Sequence, residues 1–198
     1  MSPHLDVFEA IRLRRAVRTF KPDPVPRAAI EILLDAAVRA PTAMHREPWA
    51  FVIIQDRTLL RRLSDRVKAR WRATTPAPEP HVLAALPEAR GFLEALARPD
   101  FNVFYDAGTL ILVCARPLTR FIQADGWLAS ENLMLAACAL GLGTCVIGAA
   151  IETLDLPEVK IELGIPPEIT VIAPILVGVP AASTPPTSRA APEILAWR

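Results

Sequence analysis

Neither sign of charge prevails in this 198-residue sequence: 22 Lys and Arg stand against 21 Asp and Glu, a formal net charge of +1. That balance excludes the broad basic field with which nucleic-acid binders gather phosphate, so any phosphate-binding cluster has to be local. Long hydrophobic runs are missing as well. The longest, at about 110–115 and 171–179, fall short of the ~20 residues that cross a bilayer. Cysteine is scarce, with Cys114, Cys138 and Cys145 forming an odd count in apolar surroundings without paired spacing. The pattern argues against a disulfide framework or a CxxC metal site and for buried, inert thiols. His4, His45 and His81 lie far apart with no carboxylate at metal-ligand spacing, so no metal centre is expected. There is no glycine-rich dinucleotide fingerprint, no phosphate loop ending in GK[ST] and no GxSxG elbow, and none of the chemistries those motifs mark has support. The start, Met1-Ser2-Pro3-His4-Leu5-Asp6, lacks the charged head and apolar run of a secretory signal, so a cytoplasmic protein is expected.

What is present is apolar content and arginine. Hydrophobic residues make up 52% of the chain and mean hydropathy is +0.31, which excludes wholesale disorder. The length suits one domain, 1–198, able to bury roughly 70% of its unfolded surface. The apolar surplus points to further burial between copies of the chain. Nineteen of the 22 basic residues are Arg, the cation suited to bidentate phosphate and carboxylate contacts.

Helices and strands interleave. Asp6 and Glu9 read as a capping pair opening a helix to about Arg14, with Val7, Ala10 and Ile11 inward. Pro26 opens a second helix with Ile30, Leu33, Leu34, Ala37 and Val38 on one face, and Pro41 stops it. Leu60, Leu63, Val67 and Trp71 mark a third. The stretches 49–54, 109–115 and 169–179 read as buried strands, and 143–148 as a glycine-bounded extended segment. Residues 125–140 predict a helix apolar nearly all round, ended by Gly141, and therefore central or set at a subunit interface. A short helix fits between Pro157 and Gly164. Prolines break up 74–100, with a short helical piece near 89–97. This reads as an excursion or lid reaching to about 104. The expected architecture is an α+β sandwich of helices around one sheet, closed by a proline-rich tail over 180–198.

Two features could carry chemistry. Arg14, Arg15 and Arg18 lie at a helix end leading into Phe20. Such a trio can clamp a phosphate, because guanidinium forks bind phosphate oxygens in pairs; a solvated basic turn would use the same residues. Arg189 stands alone among the otherwise uncharged residues 180–192.

Four segments, taken in order, resemble the FMN-dependent nitroreductase family. Arg14-Arg15-Ala16-Val17-Arg18-Thr19-Phe20 is close to its RRSxRxF stretch. Ala40-Pro41-Thr42-Ala43-Met44-His45-Arg46-Glu47-Pro48-Trp49 is similar to its APSxxNxQPW loop. NLMLAACALGLGTCVIG over 132–148 is similar to the helix and segment flanking the flavin. Gly178-Val179-Pro180, then Arg189 and Pro192-Glu193-Ile194-Leu195, match its ending. The resemblance implies a nitroreductase-like fold: a mainly antiparallel sheet flanked by helices, with a C-terminal tail reaching onto a partner subunit. It also implies a homodimer with FMN at the interface. Arg14, Arg15 and Ala16 would meet the phosphate and ribityl chain, Arg18 the N1/C2=O edge, and Arg189 would close the phosphate site. Pro41, Thr42 and Ala43 would line the flavin from the other subunit, with His45 at its pyrimidine edge. Val146, Ile147 and Gly148 would lie against the ring and offer an N–H near N5.

The implied function is hydride transfer from NADH or NADPH through flavin N5 to a nitroaromatic or quinone in a ping-pong cycle, with no catalytic side chain. Trp71, Phe92, Phe101 and Phe104 are candidate contacts for the acceptor, with core packing as the competing role of each. Ala16 stands where the family has Ser, Ala43 where it has a small polar residue, His45 where it often has Asn and Glu47 where it often has Gln. A flavin-consuming oxygenase or reductive dehalogenase on the same fold, and an FMN-binding or storage protein, stay open as alternatives.

Overall fold

The computed structural model describes residues 5–74, 91 and 94–198. Helix α1 spans Val7–Leu13 and begins in a capping box. The Glu9 N–H donates to Asp6 Oδ1 at 2.8 Å, and the Asp6 N–H donates to Glu9 Oε2 at 3.2 Å, satisfying two otherwise orphaned donors. Helix α2, Arg27–Ala37, starts after Pro26 and buries Ile30, Leu33 and Ala37. Strand β1 is Trp49–Ile54. Helix α3, Arg57–Thr74, is capped by Asp56, whose carboxylate accepts the Thr58 and Leu59 N–H groups. Then follow β2 (Thr109–Ala115), α4 (Ile122–Ala139), β3 (Gly143–Val146), α5 (Ile151–Leu154), α6 (Pro157–Leu163) and β4 (Thr170–Gly178). As the Pro157 and Gly164 spacing predicts, α6 opens on proline and ends on glycine in the left-handed region, φ 68°.

The strands form one antiparallel sheet in the order β1-β2-β4-β3. The glycine-bounded segment is therefore a fourth strand, at the sheet edge. Every residue of β2 is buried, because the sheet is covered on both faces. Leu110, Leu112 and Cys114 join Leu63 and Val67 of α3, Leu154 of α5 and Val159 of α6. Ile111, Val113 and Ala115 join Leu33 of α2 and Ala129, Leu133 and Ala137 of α4. The alternation is the two-residue period of a strand with helices on both sides.

Three expectations need correction. In α1 only Ala10 is buried, while Val7 is 59% and Ile11 55% exposed, and Phe8 and Leu13 are also more than half exposed. A two-turn helix meets its neighbour along one narrow stripe, and here the small Ala10 is that stripe. Helix α4 starts at Ile122 and buries Asp125, Gly126, Ala129, Ser130, Leu133, Met134 and Ala137, yet Trp127 and Leu128 remain 40% and 46% exposed. An apolar circumference is therefore not buried all round within one chain. The far end of the lid segment is core: Val103 and Phe104 are buried in the α3 side of the sandwich. Most of 74–100, and Phe92, lie outside the described residues.

Candidate active site

After α1 the chain leaves helical geometry at Arg14, φ −56° and ψ 130°, and runs along the β3 edge. The Val17 N–H donates to the Thr144 carbonyl at 2.9 Å, Ala16 bridges Thr144, and Phe20 bridges Pro180. Val17 and Phe20 point into the core, whereas Ala16, Arg18 and Thr19 stay exposed. This edge pairing is why the basic stretch loses helical period.

The C-terminal tail lies against the same stretch, starting from the Ala181 N–H, which donates to the Thr19 carbonyl at 3.0 Å. Between them run two grooves. One, of ≈ 280 Å³, is lined by Arg14, Arg15, Cys138, Thr144, Ser183 and Thr184 among others. The other, of ≈ 540 Å³, adds Ala16, Arg18, Thr187 and Ser188. Arg189 follows directly; it is exposed.

Each guanidinium is placed by its surroundings. Arg15 Nη1 donates to the Arg14 carbonyl at 2.8 Å and also to the Arg12 carbonyl, partnering carbonyls that the end of α1 leaves open. Arg14 Nε lies 3.5 Å from Glu131 Oε1 of α4. Burial pushes the Cys138 and Cys145 thiols up, and nearby arginines pull against it: Arg14 and Arg15 at Cys138, Arg18 and Arg14 at Cys145. Cys114, deeper in the sheet, is pushed up to about 12, chiefly by burial. Past Thr144, Ile147 is buried and its N–H donates to the Pro174 carbonyl at 2.9 Å, Val146 is half-buried, and Gly148 is exposed. A Cβ at Gly148 would meet nothing within 4 Å.

Pro41, Thr42, Ala43 and His45 are elsewhere. The Ala43 N–H donates to Asp125 Oδ1 at 3.0 Å, and the Glu47 N–H donates to Thr42 Oγ1 at 3.2 Å. Met44, His45 and Glu47 adopt left-handed φ of 54°, 53° and 46°, at a cost of about 1–3 kcal/mol each. The His45 ring is 92% exposed, with Nε2 3.4 Å from Glu47 Oε1. This loop enters β1, the sheet edge opposite β3. Trp49 and Thr170 are both partners of Ala115, whereas Thr144 pairs with Val177. Three strand spacings across and seven residues along separate the two places by about 28 Å. One chain therefore gathers Arg14, Arg15, Ala16, Arg18 and the tail on one corner of the sheet and holds the 41–45 loop at the diagonal corner.

Of the aromatic candidates, Phe104 is fully buried and makes no groove wall. Trp71 Nε1 donates to the Ala149 carbonyl at 2.9 Å. Phe101 lines a further groove of ≈ 400 Å³ together with Arg18, Arg98, Asp100, Asn102 and Tyr105.

Asp125, Glu131 and Tyr105 were not singled out by their sequence context, yet the structure sets them on these corners. The lone acid in the first turn of an apolar helix was the available signal for Asp125, whose second oxygen is buried without a partner among the described residues. The donor set on the arginine corner is three guanidiniums with the hydroxyls of Thr144, Ser183, Thr184, Thr187 and Ser188, which fits a phosphate on a polyol chain. No helix among the described residues is long and apolar enough to cross a membrane.

The profile of the Nitroreductase family matches residues 11–179. A Thermus thermophilus protein named NADH dehydrogenase is 28% identical, with 99% of this chain and 98% of the relative covered. A Methanothermobacter thermautotrophicus protein, whose name pairs NADH dehydrogenase with NAD(P)H nitroreductase, is 28% identical over 89% of this chain and 78% of its own. A Bacteroides fragilis nitroreductase, solved with bound FMN, superposes with a TM-score of 0.79 at 27% identity, covering 98% of this chain and all of that one.

Proposed function

The chain belongs to the nitroreductase family, and on that premise we propose that it is an FMN-dependent oxidoreductase carrying electrons from NADH or NADPH to a small acceptor such as a nitroaromatic or quinone. The carrying observation is the arginine corner: Arg14, Arg15 and Arg18 held along the β3 edge by the Val17–Thr144 hydrogen bond, facing a hydroxyl-bearing tail. Relatives named for NADH or NAD(P)H activity and a similar structure holding FMN support the cofactor and donor.

When bound, FMN would supply two-electron redox chemistry between the donor and the acceptor. The protein's part is to bind, orient and stabilise. Arg14, Arg15 and the backbone at Ala16 would hold the phosphate, and Arg189 would close over it from the tail. Arg18 offers a fixed positive charge to the pyrimidine edge, where negative charge develops. Backbone at Val146, Ile147 and Gly148 supports the ring, and open space beside Gly148 gives it room.

Pro41, Thr42, Ala43 and His45 act across a homodimer, since their loop enters the sheet at β1, the edge opposite the β3 edge that holds the arginines of their own chain. The exposed Val7, Phe8 and Ile11 of α1 and Trp127 and Leu128 of α4 supply an apolar face for the second copy, and Ile194, Leu195 and Trp197 give the tail something to bury on it. Light scattering is expected to give twice 21.6 kDa; a single-chain mass would contradict the shared site. The function is tested by visible absorption under anaerobic NADH and then NADPH. A flavin band that bleaches and returns with a quinone supports it, and a band indifferent to both donors overturns it.

A further inference from the structure

The second groove beside Arg18 is walled by a strained turn. Residues 102–106 precede β2, and Tyr105 and Asp106 have φ of 51° and 52°, a region that non-glycine residues occupy at an energetic cost and most often at functional sites. The turn is held from several sides. Asn102 Oδ1 accepts the Phe104 N–H at 3.0 Å, Asn102 Nδ2 donates to Asp106 Oδ1 at 2.8 Å, and the Tyr105 N–H donates to the Asn102 carbonyl at 2.9 Å. The Val103 N–H donates to Ser64 Oγ at 3.0 Å, tying the turn to α3, and Phe104 anchors it in the core.

What this scaffold delivers is Tyr105, the only tyrosine of the chain. Its ring stands edge-on to Phe101, centroids 5.7 Å apart at 80°, and shares the ≈ 400 Å³ groove with Arg18. Burial pushes the phenol pKa up, and the positive charge of Arg18, which shares the groove, pulls part of the way back. The phenol is therefore neutral near pH 7. No carboxylate among the described residues forms an ion pair with Arg18, whereas Arg14, Arg61, Arg62, Arg66 and Arg98 each have one.

We propose that Tyr105 is a positioning residue for Arg18: a neutral phenol oxygen, held on the strained 102–106 turn, orients the guanidinium without cancelling its charge. A carboxylate in the same place would orient the side chain equally well but neutralise it. With a phenol, the full positive charge stays available for the negative charge that builds on a flavin when it is reduced. The inference rests on the reading that Arg18 meets the flavin's pyrimidine edge.

The test uses the full-length protein reconstituted with FMN, as wild type, Tyr105→Phe, Arg18→Ala and the double variant. The affinity for oxidised FMN is read by fluorescence titration, and the two-electron potential by dye equilibration. Phe keeps the ring, the Phe101 contact and the same backbone demand, so melting is expected to be unchanged. Tyr105→Phe is expected to bind oxidised FMN nearly as wild type but reduced FMN about tenfold more weakly, lowering the potential by about 30 mV. Arg18→Ala is expected to lower it at least as far, and the double variant no further than Arg18→Ala. A wild-type potential in Tyr105→Phe beside a lowered one in Arg18→Ala overturns the positioning role and leaves the role of Arg18 standing. If neither variant changes the potential, the placement of Arg18 at the flavin falls and the inference falls with it.

Discussion

Replacing Gly143 with Ala tests how the arginine corner is held. A Cβ there would lie 2.7 Å from Val17 Cγ2, 2.9 Å from Val17 Cβ and 3.0 Å from Val17 Cγ1, closer than carbon atoms tolerate. Val17 is β-branched and only 5% exposed, so rotating its side chain does not clear the clash. The segment 16–18 has to move off β3, which strains the packing by about 1–3 kcal/mol. It also weakens the Val17–Thr144 hydrogen bond, worth about 0.5–1.5 kcal/mol. At about 2–4 °C per kcal/mol for a domain of this size, melting should fall by roughly 3–18 °C. Displacing Arg15 and Arg18 should also cost about one charge-assisted contact, 1.5–3 kcal/mol, weakening FMN binding by about tenfold to a hundredfold. Thermal melting and fluorescence titration of the apoprotein read the two effects. Val17→Ala in the same chain removes two of the three clashing atoms and should recover part of both losses. A Gly143→Ala protein that melts and binds FMN like wild type would refute the claim that this edge contact positions the site.

Three further outcomes follow from the same geometry. Gly148→Ala meets no neighbouring atom in the protein, so its melting should match wild type while FMN binding weakens, because the methyl enters the space assigned to the ring; unchanged binding would remove 146–148 from the site. Arg14→Ala and Arg189→Ala should each weaken FMN retention by about tenfold to a hundredfold through loss of a charge-assisted phosphate contact, as measured by flavin remaining after dialysis; full retention in both would reassign the phosphate site. The folded state raises Cys114 from the ordinary thiol value of 9.0 to about 12, so it holds a proton that the unfolded chain loses first. Stability from that group is complete below pH 9 and drains away between pH 9 and 12. Cys114→Ala should flatten that alkaline decline in a urea-melt series, and an unaltered slope would assign the decline to other groups.

Local signals were legible in the sequence because their causes are local. The Asp6 and Glu9 capping box, the Pro157 start and Gly164 stop of α6, and the unbroken apolar run of β2 all depend on neighbours within a few residues. What covers an apolar face is another matter. Val7 and Ile11 have the spacing of an inward stripe, yet the chain offers them no cover, and the apolar outer face of α4 poses the same question. Phe104 reads equally well as a pocket wall or as core, and only the packing of 102–106 under α3 decides it. Asp125 reaches Ala43 across 82 positions of sequence, and nothing near either residue announces the contact. The left-handed backbone at Met44, His45, Glu47, Tyr105 and Asp106 occurs without glycine, so the usual marker of that conformation is absent. The family resemblance supplied an expectation that spacing could not: that arginines and a loop at opposite edges of the sheet would serve one cofactor.

The central claim is that each flavin site is shared between two chains, and a mixed dimer tests it most directly. One chain carries Arg14→Ala with Arg18→Ala, which disables its arginine corner; the other carries Ala43→Trp, which blocks its loop corner. Each homodimer should retain little FMN. Co-expressed and purified as the heterodimer through different affinity tags, the pair contains one site with an intact arginine corner facing an intact loop, and should bind one FMN per two chains. A heterodimer as empty as its parents, or an Ala43→Trp homodimer that binds FMN normally, would contradict the shared site.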